Sequence, residues 1–192
     1  MRKLYLSTEP STFVREGFEP APHAYAQVLD IHSWEQDGHG IAIQFPDEIA
    51  ERLLEYRTRF FDKNMQSRPD IDCAHFACFM SNIVVPDWQH AMKALDLVKG
   101  EILQPDELSV GAIGIIGTTQ MLPERAFHHV LHVGIGVGDG RWLNVTGLGG
   151  NLAVSDIADD LEYQRAQVRG WYGHRYKPAL VQLHQGPTVY EL

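Results

Sequence analysis

The stretch from Val130 to Thr146 constrains this chain more than any other. Val130-Leu131-His132-Val133-Gly134-Ile135-Gly136-Val137 is apolar apart from one histidine, and Gly138-Asp139-Gly140 follows it as a turn signal. Arg141 to Thr146 then reads as a returning strand. The glycines that alternate from 134 to 140 suit a strand with close packing, and with the turn signal the pair reads as an antiparallel hairpin within a sheet. Its loop length decides which side chains meet. With a three-residue loop, Val137 pairs with Arg141, His132 lies opposite Thr146, and Asn144 is a diagonal neighbour of His132 on one face. A two-residue loop turns Asn144 to the other face.

Around this hairpin the pattern is mixed. Residues 1 to 22, punctuated by Pro10, Pro20 and Pro22, read as an irregular lead-in. Ala24 to Ile31 and Gly40 to Phe45, with Glu35-Gln36-Asp37-Gly38 between them, read as a second hairpin. From Pro46-Asp47 to about Asn64, Ile49, Leu53, Tyr56 and Phe60 recur at helical spacing. Two shorter helices are expected over Cys73 to about Asn82 and Pro86 to Val98, and strands over Val110 to Ile116 and Pro178 to Leu183. A further helix starts near Ser155, with Ser155 as its N-cap and Asp156, Asp159 and Asp160 near its positive end. Helices mostly early and strands mostly late give an α+β fold with an antiparallel sheet. The 192 residues suit one domain, with residues 1–70 elaborating a core from about 71 to 192.

Composition removes several classes of function. Sixteen Lys and Arg against 25 Asp and Glu give a net charge of −9, and no basic cluster interleaved with aromatics stands out, so nucleic acid is not an expected partner. The longest stretch without polar side chains, Val110 to Gly117, is far short of the roughly 20 residues of a membrane helix. The positive start at Arg2-Lys3 is followed by only three residues before Ser7, too few for a signal peptide, so the chain is expected to be cytoplasmic as synthesised. Oligomeric state is left open.

Asp72-Cys73-Ala74-His75-Phe76 carries the chemistry. Asp72 is a good N-cap, which makes Cys73 the first helical residue, where unpaired backbone N–H groups favour a thiolate, although the neighbouring carboxylate opposes it. Cys78 reads as a packed, small apolar residue. Five residues on a helix turn Cys73 and Cys78 about 140° apart, which argues against a disulfide. His75, about 200° around the helix from Cys73, cannot serve it as a base. His132 on the later strand can, with the Asn144 carbonyl holding its ring in the accepting tautomer.

These residues resemble the NlpC/P60 superfamily of papain-like cysteine peptidases. Asp72-Cys73 is similar to its nucleophile motif, His132-Val133-Gly134-Ile135 to its base strand, and Asn144 stands where the third polar residue falls. Ile102-Leu103-Gln104-Pro105-Asp106-Glu107-Leu108 resembles the segment that precedes its first sheet strand. The likeness spans roughly Asp72 to Thr146. It departs at Ala74-His75, where the family carries Ser-Gly. Cys73-Ala74-His75-Phe76 is closer there to the Asn-Cys-Glu-His-Phe motif of the lecithin retinol acyltransferase branch, in which the histidine precedes the cysteine. The resemblance implies a papain-like fold with the nucleophile helix packed on the antiparallel sheet.

The implied function is a thiol protease or amidase, a hydrolase that cleaves an amide bond through an acyl-enzyme with Cys73, His132 and Asn144 as catalytic residues. A bacterial peptidoglycan stem peptide is the substrate the family suggests, reached in the cytoplasm or by delivery through a secretion system or phage. An acyltransferase or thioesterase on the same scaffold uses the same residues, and a noncatalytic binding or assembly protein is the alternative of another class. The expected partner is a peptide or acyl substrate. His128 and His132, about 13 Å apart along a strand, are too far apart for one ion, and no metal or cofactor is expected. The alternating glycines are no dinucleotide fingerprint but leave one face of the strand open beside His132. Trp34, Trp88, Trp142 and Trp171 are expected mostly as packed aromatics.

Overall fold

The computed structural model describes residues 1–13, 23–34, 40–96, 100–119, 129–147, 149–172 and 177–183. Its strands are β1 (Arg2–Phe13), β2 (His23–His32), β3 (Gly40–Phe45), β4 (Gly100–Leu103), β5 (Ile113–Thr119), β6 (His129–Gly138), β7 (Arg141–Val145), β8 (Leu152–Asp156) and β9 (Lys177–Leu183). The helices are α1 (Asp47–Phe60), α2 (Cys73–Met80), α3 (Trp88–Asp96) and α4 (Ile157–Tyr172), with a single 3-10 turn at Pro105–Glu107. Among the described residues the strands form one sheet in the order β3-β1-β2-β8-β7-β6-β5-β9-β4, with every neighbouring pair antiparallel. The class is α+β.

The amino-terminal region departs most from expectation. Residues 2–13 are a strand rather than a lead-in, and β2 and β3 do not pair with each other. Each pairs with β1, which lies between them. The physical reason is alternation: Leu4 and Leu6 are fully buried on one face of β1 while Ser7 and Thr8 keep some exposure, so the segment has its own apolar face to bury. The three strands join the rest of the sheet through Ala26↔Val154 and Gln27↔Ala153, between β2 and β8.

Helix α1 follows from its spacing. Ile49, Leu53 and Tyr56 are buried on one side, Asp47 and Glu48 occupy the first turn, and Arg57 and Arg59 the last. It ends at Phe60, short of Asn64, because Phe61 turns extended and Met65 takes a left-handed conformation at φ 55°. Helix α2 is apolar almost all round and is buried accordingly. Cys73, Ala74, Phe76, Ala77, Cys78 and Met80 join the core with Val133, Ile135, Leu143 and Val145 of the sheet.

The other face of the central strands packs on α4, where Trp142 and Ile116 meet Ile157 and Leu161. Strand β8 runs straight into α4, so Ser155 is a strand residue rather than the N-cap. The capping carboxylate is that of Asp156, which accepts from the N–H groups of Ala158 at 2.9 Å and Asp159 at 3.4 Å.

The glycines of β6 are spacers for neighbours, and the face beside His132 is not open. A Cβ on Gly134 would lie 2.7 Å from the Trp142 ring, and one on Gly136 would lie 2.3 Å from the Ser109 backbone oxygen. Gly136→Ala therefore forces backbone apart and is expected to cost about 1–3 kcal/mol in urea unfolding; an unchanged midpoint would contradict this packing.

Candidate functional site

The β6–β7 hairpin turns on two residues, Asp139 and Gly140, both left-handed at φ 54° and 68°, with Gly138 pairing Arg141. Taken alone, that loop would put Asn144 on the wrong face. The ladder, however, skips Val137, passing from Gly138↔Arg141 to Gly136↔Trp142, and this bulge restores the register of the longer loop. Gly134 then pairs with Asn144, and Asn144 is the diagonal neighbour of His132. His132 also meets Trp142 edge to face, with ring centroids 5.3 Å apart.

Cys73 reaches the same region from the other side. Asp72, extended at φ −137°, accepts from the His75 N–H at 2.9 Å and starts α2. Its position is fixed by the turn after β7, since the Gly149 N–H donates to the Ile71 carbonyl at 2.8 Å and the Ser67 N–H to that of Gly150 at 3.0 Å. Pairing of β6 with β7 stops at Gly134↔Asn144, and the backbone N–H of Val133 is directed at the Cys73 sulfur. The thiol therefore meets β6 at the residue next to His132. The imidazole itself lies on the α4 face with Trp142 and Asn144, whereas Cys73 belongs to the core beneath α2. His132 is near enough to Asp72 for an imidazolium charge to favour the ionised carboxylate, although burial raises the Asp72 pKa on balance.

Electrostatics do not favour a resting thiolate. Cys73 is 8% exposed, and burial first, then the Asp72 carboxylate, push its pKa well up despite the N–H groups of Val133 and Ala74. The helix start is thus outweighed by desolvation. Cys78 touches the Ala91 carbonyl at 3.8 Å, and burial pushes its thiol up to about 12. Both cysteines are free. His75 faces α1, where its Nδ1 lies 3.1 Å from the Tyr56 hydroxyl and its ring packs edge-on to Phe60, and burial lowers its pKa.

Asn144 is 2% exposed and donates from Nδ2 to Ser155 Oγ at 2.7 Å. Ser155 and Asp160 belong to this cluster and were not legible as such in the sequence. The sign was a lone serine in the apolar run Leu152-Ala153-Val154-Ser155, read instead as a helix cap. Of the tryptophans, Trp142 is fully buried and Trp34 is 61% exposed. Two clefts, of about 790 Å³ beside Phe61 and Arg68 and about 230 Å³ beside His75 and Phe79, are not lined by any of the three candidate residues. No group of metal-ligating side chains is found among the described residues, of which His128 is not one. No described helix is long and apolar enough to cross a membrane. Comparison of the chain with models of protein families, with characterised proteins and with solved structures finds no match.

The buried thiols make stability fall in alkali. Unfolded, Cys78 ionises around its ordinary pKa of 9.0, but folded it holds its proton to about 12. Between these values the unfolded state binds fewer protons, and stability drops as pH rises, by about 1.4 kcal/mol per pH unit for such a thiol. Urea unfolding from pH 8 to about 11 is expected to show a shallower decline in Cys78→Ala than in wild type; parallel declines would contradict the burial of this thiol.

Proposed function

We propose that the chain is a papain-like cysteine hydrolase that cleaves an amide bond through an acyl-enzyme on Cys73, with His132 as base and Asn144 as the group that orients it. One observation carries the reading: the Cys73 sulfur, at the first turn of α2, lies against the Val133 N–H, one residue along β6 from His132, whose imidazole stands on the opposite face of the strand. The register of β6 and β7 adds Asn144 on the diagonal from His132.

The chemistry follows from a neutral resting thiol. As Sγ attacks the amide carbonyl, its proton has to reach His132 around β6 where pairing with β7 has ended, since the two side chains stand on opposite faces of the strand, and charge develops only during the reaction. The backbone N–H of Cys73 at the helix start stabilises the oxyanion. The C–N bond breaks as the imidazolium returns the proton to the leaving nitrogen. Water then attacks the thioester, passes a proton to His132, and leaves the free acid and the thiol. A different acceptor in the last step makes the same site an acyltransferase. A peptidoglycan stem peptide is the substrate that the motif resemblance suggests.

The burial of Cys73 favours a second reading, a noncatalytic binding or assembly protein that keeps the thiol as core. Turnover separates the two. Release of amine from stem peptides, followed by chromatography, is expected in the wild type and is expected to fall by roughly 100-fold or more in Cys73→Ala and in His132→Ala. Equal turnover in all three proteins overturns the mechanism, and no turnover on stem peptides or acyl esters favours the binding protein.

A further inference from the structure

Ser155 Oγ sits at the centre of a buried polar cluster whose hydrogen bonds have one consistent assignment with Asp160 ionised. Trp142 Nε1, which can only donate, lies 3.0 Å from Ser155 Oγ and 2.6 Å from Asp160 Oδ2. The Ser155 hydroxyl donates to Asp160 Oδ2 at 2.5 Å. One donor and two acceptor sites complete a hydroxyl. With its proton on Asp160 and one lone pair on Trp142, Ser155 has only an acceptor left for Asn144. Asn144 must therefore present its NH2 end there, 2.7 Å away, which leaves its carbonyl as the end available to a donor elsewhere.

We propose that Asp160 is a positioning residue for His132: its carboxylate fixes the Ser155 proton, that proton fixes which way the Asn144 amide faces, and the Asn144 carbonyl selects the ring nitrogen of His132 that carries hydrogen. The same carboxylate holds Trp142, whose ring is against the imidazole. Asp160 is 5% exposed among Ile157, Leu161 and Trp142, a costly place for a carboxylate that does no more than fill space. Among the described sheet residues it holds Trp142 and, through Ser155, Asn144, and both neighbour His132 on one face. The proposal rests on the reading of His132 as the base, but it makes a claim about the imidazole that does not need turnover.

Its test compares side chains of equal shape. Ser155→Thr keeps the hydroxyl in a β-branched side chain, Ser155→Val replaces it with a methyl of similar volume, and Asp160→Leu removes the acceptor in a side chain of similar shape. Heteronuclear NMR of the imidazole nitrogens, recorded above the pH at which His132 loses its charge, reads the tautomer directly. The described titratable groups that the structure places near the ring are Asp72 at the start of α2 and Asp160 behind Trp142. Wild type and Ser155→Thr are expected to show one tautomer, and Ser155→Val and Asp160→Leu a mixture. In parallel, kcat is expected to fall roughly 10-fold with KM unchanged in the last two, and to recover in Ser155→Thr. The same single tautomer in every folded variant overturns the proposal, even where Cys73→Ala and His132→Ala abolish turnover. A tautomer that responds as expected in a protein without turnover supports it while the hydrolase reading fails. Should Ser155→Val not fold, Asp160→Leu alone decides.

Discussion

The extra residue at Val137 decides what the two faces of the central sheet contain. Without it, the two-residue turn at Asp139-Gly140 would pair Ile135 with Asn144 and Gly136 with Leu143, and every side chain of β7 would change sides. Asn144 and Trp142 would then enter the apolar core under α2, and Leu143 and Val145 would face α4. The bulge keeps the apolar set with α2 and gathers His132, Trp142, Asn144 and Ser155 on the side of α4. Gly136 allows it, because no side chain fits against the Ser109 backbone at the point where the ladder is displaced.

Given that register, the thiol and the polar cluster approach β6 from opposite sides. Cys73 comes from the start of α2 and meets the strand at the Val133 N–H, just beyond the last residue paired with β7. The Asp72 cap that starts the helix also places a carboxylate beside the thiol, and burial opposes charge there further. Asp72 therefore builds the position of Cys73 while discouraging its ionisation. In the proposed mechanism Cys73 works as a neutral thiol whose proton leaves during attack, and its base has to be well oriented rather than strongly charged. That requirement gives physical sense to a buried network packed beside the imidazole through Trp142.

Much of this was legible in the sequence because the signals were local. The helical spacing of Ile49, Leu53 and Tyr56, the Asp72 cap and the glycine turn after Val137 each depend on a few neighbouring residues. The partners of strands were not. Nothing local says that β1 lies between β2 and β3, since that pairing is decided by which apolar faces can be buried together. Strand β8 was hidden because it enters α4 with no glycine or proline between them, so Ser155 passed for a cap when its hydroxyl belongs to Asn144, Trp142 and Asp160. The register came out as the three-residue loop requires, but through a shorter turn and a bulge, a combination the residue pattern does not distinguish.

The measurement closest to the central claim is the capture of the acyl-enzyme itself. Incubation with p-nitrophenyl acetate, a quench in acid and peptide mass spectrometry should place one acetyl group on the peptide bearing Cys73, with the rate of labelling strongly reduced in His132→Ala and Cys78 unmodified. Acetylation of Cys73 at the same rate with and without His132, or none at Cys73 under conditions that modify surface lysines, would contradict the account.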